Sequence, residues 1–157
     1  SSCSSAMFSN HITHSTKGFT LLEILLSITA IAIIAGIGIP VYQSFQNRND
    51  LDIAVISFAQ TARRAQVLSQ AVDGDTGWGV YAQSGSATLF KGTSYAGRDA
   101  IFDEIFSMPT SIIVSGTEEF VFTKFTDMPQ TTGTVTLTSS NNEARNITIN
   151  AKGMVSY

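Results

Sequence analysis

An apolar stretch with a single charged residue constrains this chain more than any other feature. From Phe19 to Tyr42 the only charged side chain is Glu23, in a sequence of 157 residues. A helix rises about 1.5 Å per residue, and crossing a bilayer core takes about 20 apolar residues. The stretch therefore predicts a transmembrane helix that carries a carboxylate near its N-terminal end.

Two alternatives explain the stretch less well. The core helix of a soluble protein must be surrounded on all sides, and the remaining chain is too short and too polar to do this. A cleaved secretory signal would use Lys17 as its basic region and Ala30-Ile31-Ala32 as its cleavage site. The apolar run continues past that site to Ile39, which favours a retained anchor.

The charges beside the stretch set its orientation only weakly. Lys17 precedes it, and Arg48 follows it together with two aspartates, so the positive-inside rule is nearly balanced. If Met7 is the start, the preceding segment is too short to be a folded domain. We therefore expect this segment in the cytoplasm and residues 43–157 outside the cytoplasmic membrane.

Glu23 needs an explanation because a carboxylate is costly in a membrane. At the bilayer centre an acidic side chain costs roughly 2.5–3.5 kcal/mol, and less near a helix end, where it reaches the interface. The residue itself leaves two interpretations open. Glu23 is either an incidental boundary residue or a functional group whose charge is balanced by a partner.

The residues around Glu23 favour the functional interpretation. The heptapeptide Lys17-Gly18-Phe19-Thr20-Leu21-Leu22-Glu23 closely resembles the N-terminal signature of type IV pilins and of the pseudopilins of type II secretion. The resemblance implies that residues 1–18 are a leader peptide, which prepilin peptidase removes by cutting after Gly18. It further implies that the same enzyme methylates Phe19 and that Glu23 is the fifth residue of the mature chain.

This resemblance also supplies a partner for Glu23. Cleavage would expose an α-amine on Phe19, which stays cationic after one methylation. In one continuous helix this amine is expected about one turn from Glu23. In a stack of helices the amine could instead face Glu23 of a neighbouring subunit. Because a paired charge is tolerated at low dielectric, the resemblance implies that Glu23 acts in subunit assembly.

A cluster of helix-weakening residues ends the apolar stretch. Proline removes a backbone donor and clashes with the preceding turn, and each glycine weakens a helix by up to about 1 kcal/mol. One interpretation is the ordinary glycine and proline content of membrane helices. We favour a locally weak helix with a kink at Gly36, Gly38 and Pro40.

After the apolar stretch, the pattern predicts an amphipathic helix that continues through residues 43–72. Apolar residues recur at alternating spacings of four and three, which is typical of a helix with one buried face. Asp73-Gly74-Asp75-Thr76-Gly77 is expected to stop this helix as a polar turn. The apolar line consists of Leu51, Val55, Phe58, Ala62 and Ala65, and polar residues fall mostly off it.

Residues 73–157 have the pattern of an antiparallel β domain. Val135-Thr136-Leu137-Thr138 and Ile147-Thr148-Ile149-Asn150 alternate clearly, so each strand is expected to bury one face. Residues 92–109 are expected to form an irregular connection. The predicted fold class is α+β, with a long N-terminal helix packed on an antiparallel sheet. Strands are predicted at 78–82, 87–91, 110–115, 118–125, 133–139, 145–150 and 153–157.

Further short motifs refine the resemblance. Ala62-Arg63-Arg64-Ala65-Gln66, Trp78-Gly79-Val80 and Asn150-Ala151-Lys152-Gly153-Met154-Val155 resemble the H-type minor pseudopilins and FimT-like minor pilins (the GspH/FimT-like family). These motifs are short and degenerate. The resemblance implies four segments: the leader at 1–18, the transmembrane and assembly helix at 19–42, the amphipathic helix at 43–72 and the globular domain at 73–157.

The composition argues against an enzyme. Histidines occur only at His11 and His14, so no Ser-His-Asp arrangement fits in the outer domain. Cys3 is the only cysteine, which excludes an intramolecular disulfide and a cysteine-based zinc site. We predict no catalytic site, no cofactor and no metal. Asp99, Asp103 and Glu104 are interpreted as a solvated surface.

The sequence thus predicts a structural subunit of a secretion or pilus filament. Implied partners are other pilin or pseudopilin subunits, prepilin peptidase, membrane lipid before assembly and an inner-membrane assembly platform. Nucleic acid is disfavoured, since the net charge is −3 and Lys124, Arg145 and Lys152 are scattered among acids. Two alternatives are a membrane-anchored binding module, such as a DNA-uptake pilin or adhesin, and a secreted protein with a cleaved signal.

Overall fold

The computed structural model describes residues 18–126 and 128–157. Residues 1–17, which hold most of the expected leader, and Asp127 lie outside the described residues. The chain divides into two compact units, Ser1–Ile39 and Pro40–Tyr157. Within the described residues, one α-helix, α1 (Leu21–Gln70), precedes eight strands. These are β1 (Trp78–Gln83), β2 (Ser86–Lys91), β3 (Glu104–Ser107), β4 (Ile113–Gly116), β5 (Glu119–Phe122), β6 (Gly133–Thr138), β7 (Ala144–Ile149) and β8 (Val155–Ser156).

The second half of α1 has the buried face that the sequence predicts. The predicted apolar line from Leu51 to Ala65 is buried throughout, while Asp52, Gln60 and Arg63 are exposed. Small side chains alternate with large ones on this face, which brings the helix backbone close to the strands it covers. The amphipathic helix is therefore confirmed.

The strands form two antiparallel sheets rather than one. The first sheet has the order β3-β2-β1-β5, and the second has the order β4-β6-β7-β8. β1 and β2 form a hairpin in which Gln83 faces Ser86 across a two-residue turn. Gly85 adopts a φ of 89° in this turn, a left-handed conformation that glycine adopts without steric cost. The predicted α+β class is confirmed, and the division into two sheets is an addition to it.

The core lies between α1 and both sheets. Phe58 of α1 meets Phe120 of β5 edge-to-face, with the ring centroids 6.1 Å apart. Val135 and Ile147 bring β6 and β7 into the same cluster of fully buried side chains. One hydrophobic core therefore holds the helix and the two sheets of residues 40–157 together.

A loop covers the opposite face of the first sheet. The ring of Tyr95 stacks on Tyr81, with the centroids 4.0 Å apart, and meets Phe90 edge-to-face at 5.5 Å. As a result Phe90 and Thr88 of β2 are buried even though they point away from the helix-facing core. The loop therefore covers part of the outer face of the first sheet, around Tyr81 and Phe90.

Strand β3 corrects the prediction of an irregular connection at residues 92–109. Its four residues pair with β2 from Ser86↔Ser107 to Leu89↔Glu104. Phe106 packs against the core, while Ile105 is exposed on the other face. Acidic residues and glycines surround this segment, so its short alternation of apolar and polar residues could not be recognised in the sequence. Backbone pairing with an already formed strand stabilises it despite that composition.

Other boundaries also differ from the predictions. The strand expected at 110–115 begins only at Ile113, because a turn closed by the Ile112 N–H and the Pro109 carbonyl precedes it. The strand expected at 118–125 ends at Phe122. The predicted polar stop after α1 is confirmed, with a single 3-10 turn at Asp73–Asp75.

A buried serine connects the end of α1 to the first sheet. The Ser69 hydroxyl accepts a hydrogen bond from the Trp78 N–H (2.9 Å) and donates one to the Phe122 carbonyl (3.2 Å). The Ser69 carbonyl accepts hydrogen bonds from the N–H groups of Val72 (3.2 Å) and Phe125 (3.1 Å). One residue thus satisfies backbone groups from the helix end, β1, β5 and the loop after β5.

Replacing Ser69 by alanine is expected to destabilise residues 40–157. The change leaves the Trp78 N–H and the Phe122 carbonyl without their buried partner, at a cost of about 1–3 kcal/mol. Chemical denaturation of the full chain in detergent measures this loss. Ser57→Ala, at a half-buried position of the same helix, is the matched control. Equal stability of the Ser69→Ala variant and the wild type would contradict the assigned role.

Candidate functional site: the exposed N-terminal helix

The first turn of α1 begins with a threonine cap. Gly18, Phe19 and Thr20 are non-helical and exposed, and the helix begins at Leu21. The Glu23 N–H donates to Thr20 Oγ1 at 3.2 Å, so Thr20 satisfies one of the donors that a helix start leaves free. Thr20-x-x-Glu23 has the residue types of a capping box. The sequence reasoning missed this role of Thr20, although the spacing shows it.

The cap changes the expected geometry around Glu23. The estimate of one helical turn between the Phe19 amine and Glu23 assumed that both residues belong to the same helix. In the structure Phe19 lies before the first helical residue, so Phe19 and Glu23 do not share one helix in the uncleaved chain, and the one-turn spacing stays a prediction. Glu23 lies in the first turn, where the helix dipole favours a negative charge.

The first half of α1 is not covered by the described chain. Large apolar side chains from Phe19 to Ile39 are 50% to 78% exposed. The helix passes the length and composition test for a membrane span, with a mean hydropathy of 2.5 in a window of which 0% is buried. A core helix of a soluble protein would be mostly buried, so that alternative does not hold.

The polar side chains of this segment are bonded within the helix. The Ser27 hydroxyl donates to the Glu23 carbonyl at 2.8 Å, and the Thr29 hydroxyl donates to the Leu25 carbonyl at 2.7 Å. Such bonds to the preceding turn satisfy both hydroxyls without water. Ser27 and Thr29 are therefore compatible with an apolar environment, and Glu23 is the one ionisable group of the segment that needs an external partner.

The predicted kink residues lie in an unbroken stretch of helix. Pro40 is inside α1, and its missing N–H removes the donor for the Gly36 carbonyl. A Cβ added at Gly36 or at Gly38 meets no atom of the chain within 4 Å. Within the described residues, packing therefore does not require glycine at either position. The predicted kink stays a prediction.

The acidic residues of the β domain serve structural roles. Arg98 Nε donates to Asp103 Oδ2 at 2.7 Å, and the Asp103 side chain is only 13% exposed. This hydrogen bond raises the pKa of Arg98, and the guanidinium also stacks over Tyr95 at 3.8 Å. Glu104 accepts from Arg64 at 2.7 Å. The interpretation of a solvated acidic surface is wrong for Asp103, because the loop over the first sheet encloses it.

The basic residues of the domain are largely matched by acids. Lys124 lies 3.1 Å from Asp75, and Arg145 lies 3.7 Å from Asp52. In the described ranges, no group of three or more potential metal ligands is found. These ion pairs do not concentrate positive charge on one surface of the described residues. The basic residues are also scattered along the sequence.

A family comparison decides the class of the N-terminal segment. The family model of the prokaryotic N-terminal methylation motif matches residues 13–39. The chain carries this motif. The motif supports a type IV pilin-like protein of the kind that prepilin peptidase processes, and the exposed apolar helix fits a membrane-anchored member of that class. The comparison with curated proteins and the comparison with solved structures gave no significant match.

The methylation motif covers the sequence-predicted site residues up to Gly38 but not the β domain. Gly18, Phe19 and Glu23 all fall within the matched range, together with the newly identified cap Thr20. The motif thus coincides with the exposed, capped half of α1. Proteins with this motif are typically structural subunits.

The threonine cap makes a testable contribution to the start of α1. Loss of an N-cap costs about 0.5–2 kcal/mol, so Thr20→Ala is expected to speed amide exchange at Glu23 by about 2- to 30-fold. Hydrogen exchange of the full chain in detergent, followed by NMR, measures this rate. Thr20→Ser should keep the wild-type rate, and Thr29→Ala controls for loss of a hydroxyl further along the helix. An unchanged rate in Thr20→Ala would contradict the capping role.

Proposed function

We propose that this protein is a minor pseudopilin or minor pilin, most like the H-type minor pseudopilins, that assembles into a type II secretion or type IV pilus filament. One observation carries the proposal: the methylation motif at residues 13–39 overlaps an apolar helix whose side chains are not covered by any part of the chain that the structure describes. Such a helix needs lipid before assembly and other subunits after it.

The geometry at Gly18 supports processing at this position. Gly18 and Phe19 are outside the helix and exposed, so their backbone is open to a protease. A Cβ at Gly18 meets no atom of the chain within 4 Å. A requirement for glycine would therefore come from close approach of the enzyme to the backbone, not from the fold of the substrate. Phe19 would then become the methylated N-terminal residue.

Substitution of Gly18 tests the processing step. We expect the wild-type chain, isolated from cells that have prepilin peptidase, to begin at Phe19 and to carry one N-terminal methyl group. Gly18→Val is expected to remain as a full-length precursor, because its side chain blocks the enzyme's approach. Intact-mass and N-terminal sequence analysis distinguish the two forms. Gly36→Val is the matched control, since its Cβ also meets open space.

The outcomes of this experiment separate the proposal from the secreted alternative. A mature chain that begins after Ala32 would show a cleaved secretory signal and overturn the proposal. Normal cleavage of Gly18→Val would show that the small residue is not required at this site.

Glu23 is proposed to act in subunit assembly. Its carboxylate is exposed in the first turn of α1, and Glu23 is the only Asp, Glu, Lys or Arg from Leu21 up to Asn47. Once the helix leaves lipid and packs among other helices, an unpaired carboxylate would be strongly destabilising. The α-amine of Phe19 is the cation that cleavage creates nearby, and it pairs with Glu23 of a neighbouring subunit.

Removal of the Glu23 charge tests this role. Glu23→Gln keeps the size of the side chain, so membrane insertion and cleavage after Gly18 are expected to be normal. Recovery of the processed chain in the sheared filament fraction is expected to fall at least about tenfold, because the pairing of opposite charges is lost. Immunoblotting of membrane and filament fractions measures both forms. Glu143→Gln, which breaks the exposed pair with Arg48 at 3.3 Å, is the control.

A Glu23→Gln variant that assembles like the wild type would contradict the role in assembly. Reduced insertion or reduced cleavage would instead place the function of Glu23 before assembly.

The remaining partners follow from this function. Prepilin peptidase processes the precursor, membrane lipid holds the mature chain, and an inner-membrane assembly platform transfers it to the filament. The precursor is a single-pass protein of the cytoplasmic membrane, with its N-terminus in the cytoplasm and the β domain outside. Gly36, Gly38 and Pro40 provide a point at which the helix can bend during this transfer.

A further inference from the structure

The sequence holds one N-glycosylation motif, and it lies in β7. Asn146-Ile147-Thr148 has the order of an acceptor for N-linked sugars, which is asparagine, any residue except proline, and then serine or threonine. None of the other asparagines is followed by a serine or threonine two positions later. Such a motif is used only where it is exposed, so the place of Asn146 in the fold decides what it can do.

Strand β7 presents both polar residues of the motif to solvent. Alternate residues of a strand point to the same face, so Asn146 and Thr148 share the outer face of the second sheet. Ile147, between them, is fully buried in the core. Asn146 itself is exposed. The fold therefore displays the asparagine and the threonine side by side on an extended backbone.

The side-chain amide of Asn146 is held by its oxygen and not by its nitrogen. The Thr136 hydroxyl donates to Asn146 Oδ1 at 2.9 Å across the two strands. Among the described residues, Nδ2 of Asn146 donates no hydrogen bond. N-linked sugars are joined to this nitrogen. The reacting atom is therefore accessible without the loss of any contact within the described chain.

The backbone beside Asn146 is open as well. The Ser139 N–H donates to the Glu143 carbonyl at 2.9 Å, and because hydrogen-bonded pairs alternate along β6 and β7, the backbone groups of Asn146 point away from β6. On that other side, β8 pairs with β7 only at Thr148 and Ile149. Within the described residues, the edge of β7 at Asn146 is thus unpaired. An enzyme can reach the motif there without separating two strands.

The surface around Asn146 suits a sugar better than other occupants. Its neighbours on the outer face are small and uncharged: Thr134, Thr136, Ala144 and Thr148. Small side chains leave room for an attached chain, and threonine hydroxyls both donate and accept hydrogen bonds, as sugar hydroxyls do. Anionic partners need positive charge, and protein contacts are enriched in aromatic residues. Neither is found among these neighbours.

We propose that Asn146 is N-glycosylated, with a lipid-linked oligosaccharide pyrophosphate as the donor. In this transfer Nδ2 forms a bond to C1 of the first sugar and loses one proton. The bond from C1 to the pyrophosphate oxygen breaks, and the lipid pyrophosphate leaves with the electron pair. The inference goes beyond the proposed function, because neither cleavage after Gly18 nor subunit assembly requires a sugar.

Glycopeptide mass spectrometry of the full chain, isolated from the cells that make it, tests the proposal. The peptide that contains Asn146 is expected to carry a sugar chain on that residue. Thr148→Ala is expected to abolish the modification, because it removes the hydroxyl of the motif, and Thr148→Ser is expected to keep it. Two matched controls are also expected to keep it. Thr136→Ala removes the hydrogen bond to Oδ1, and Asn142→Gln changes an exposed asparagine outside the motif.

Three outcomes would overturn the proposal. The first is an unmodified Asn146 in the wild-type chain. The second is a sugar that remains attached in Asn146→Gln, which would place the acceptor at another residue. The third is a modification that persists in Thr148→Ala, which would show that the motif is not recognised. N-terminal sequencing of the same samples reports cleavage after Gly18 separately, so failure of the glycosylation and failure of the proposed function are distinguishable.

Discussion

The apolar surface of the first half of α1 is the constraint on which the rest of the molecule depends. Residues 18–46 are exposed throughout, whereas from Leu51 onward one side of the same helix is buried in the core of the β domain. Burial of apolar area is the dominant favourable term in association. The exposed half therefore needs lipid or other protein chains to bury its apolar surface, because the described residues do not cover it. The second half of the same helix packs on the β domain, so the β domain is attached to this exposed segment.

The end of α1 is as closely specified as its beginning. At the start, Thr20 fixes the first helical residue through the Glu23 N–H. At the end, Ser69 bonds to backbone groups of two strands and of the loop that carries Phe125. Both use a small hydroxyl side chain, but the Thr20 hydroxyl accepts from a free N–H of the helix start, whereas the Ser69 hydroxyl bonds to backbone groups of the strands beside the helix end. Thr20 thus caps the N-terminal end of the helix, and Ser69 ties its C-terminal end to the first sheet.

Much of this architecture could be predicted from periodicity. The line from Leu51 to Ala65 and the alternation in β6 and β7 reflect burial on one face, which repeats along the sequence and can be read from it. The first half of α1 could be predicted as a membrane-spanning helix with a candidate functional residue, because a single charge in a long apolar run is a rare pattern.

The features that escaped prediction depend on partners distant in sequence. β3 is a strand because β2 lies beside it, and Asp103 is enclosed because Arg98 and Tyr95 fold over the first sheet. The role of Ser69 depends on Trp78 and Phe122, which only the fold brings together. Thr20 differs from these residues, because its partner Glu23 is only three positions away. This spacing can be recognised in the sequence, within the methylation motif itself.

The capped start of α1 has a consequence for charge balance on either side of the proposed cut. Before the cut, the residues next to the helix start are an uncharged glycine and phenylalanine. After it, the protonated α-amine of Phe19 would stand one residue before the cap, at the end of the helix where the backbone dipole is already positive. The carboxylate of Glu23 would then offset both the helix dipole and the charge of the new chain end. Cleavage would thus replace the cationic side chain of Lys17 by a cationic chain end beside the cap.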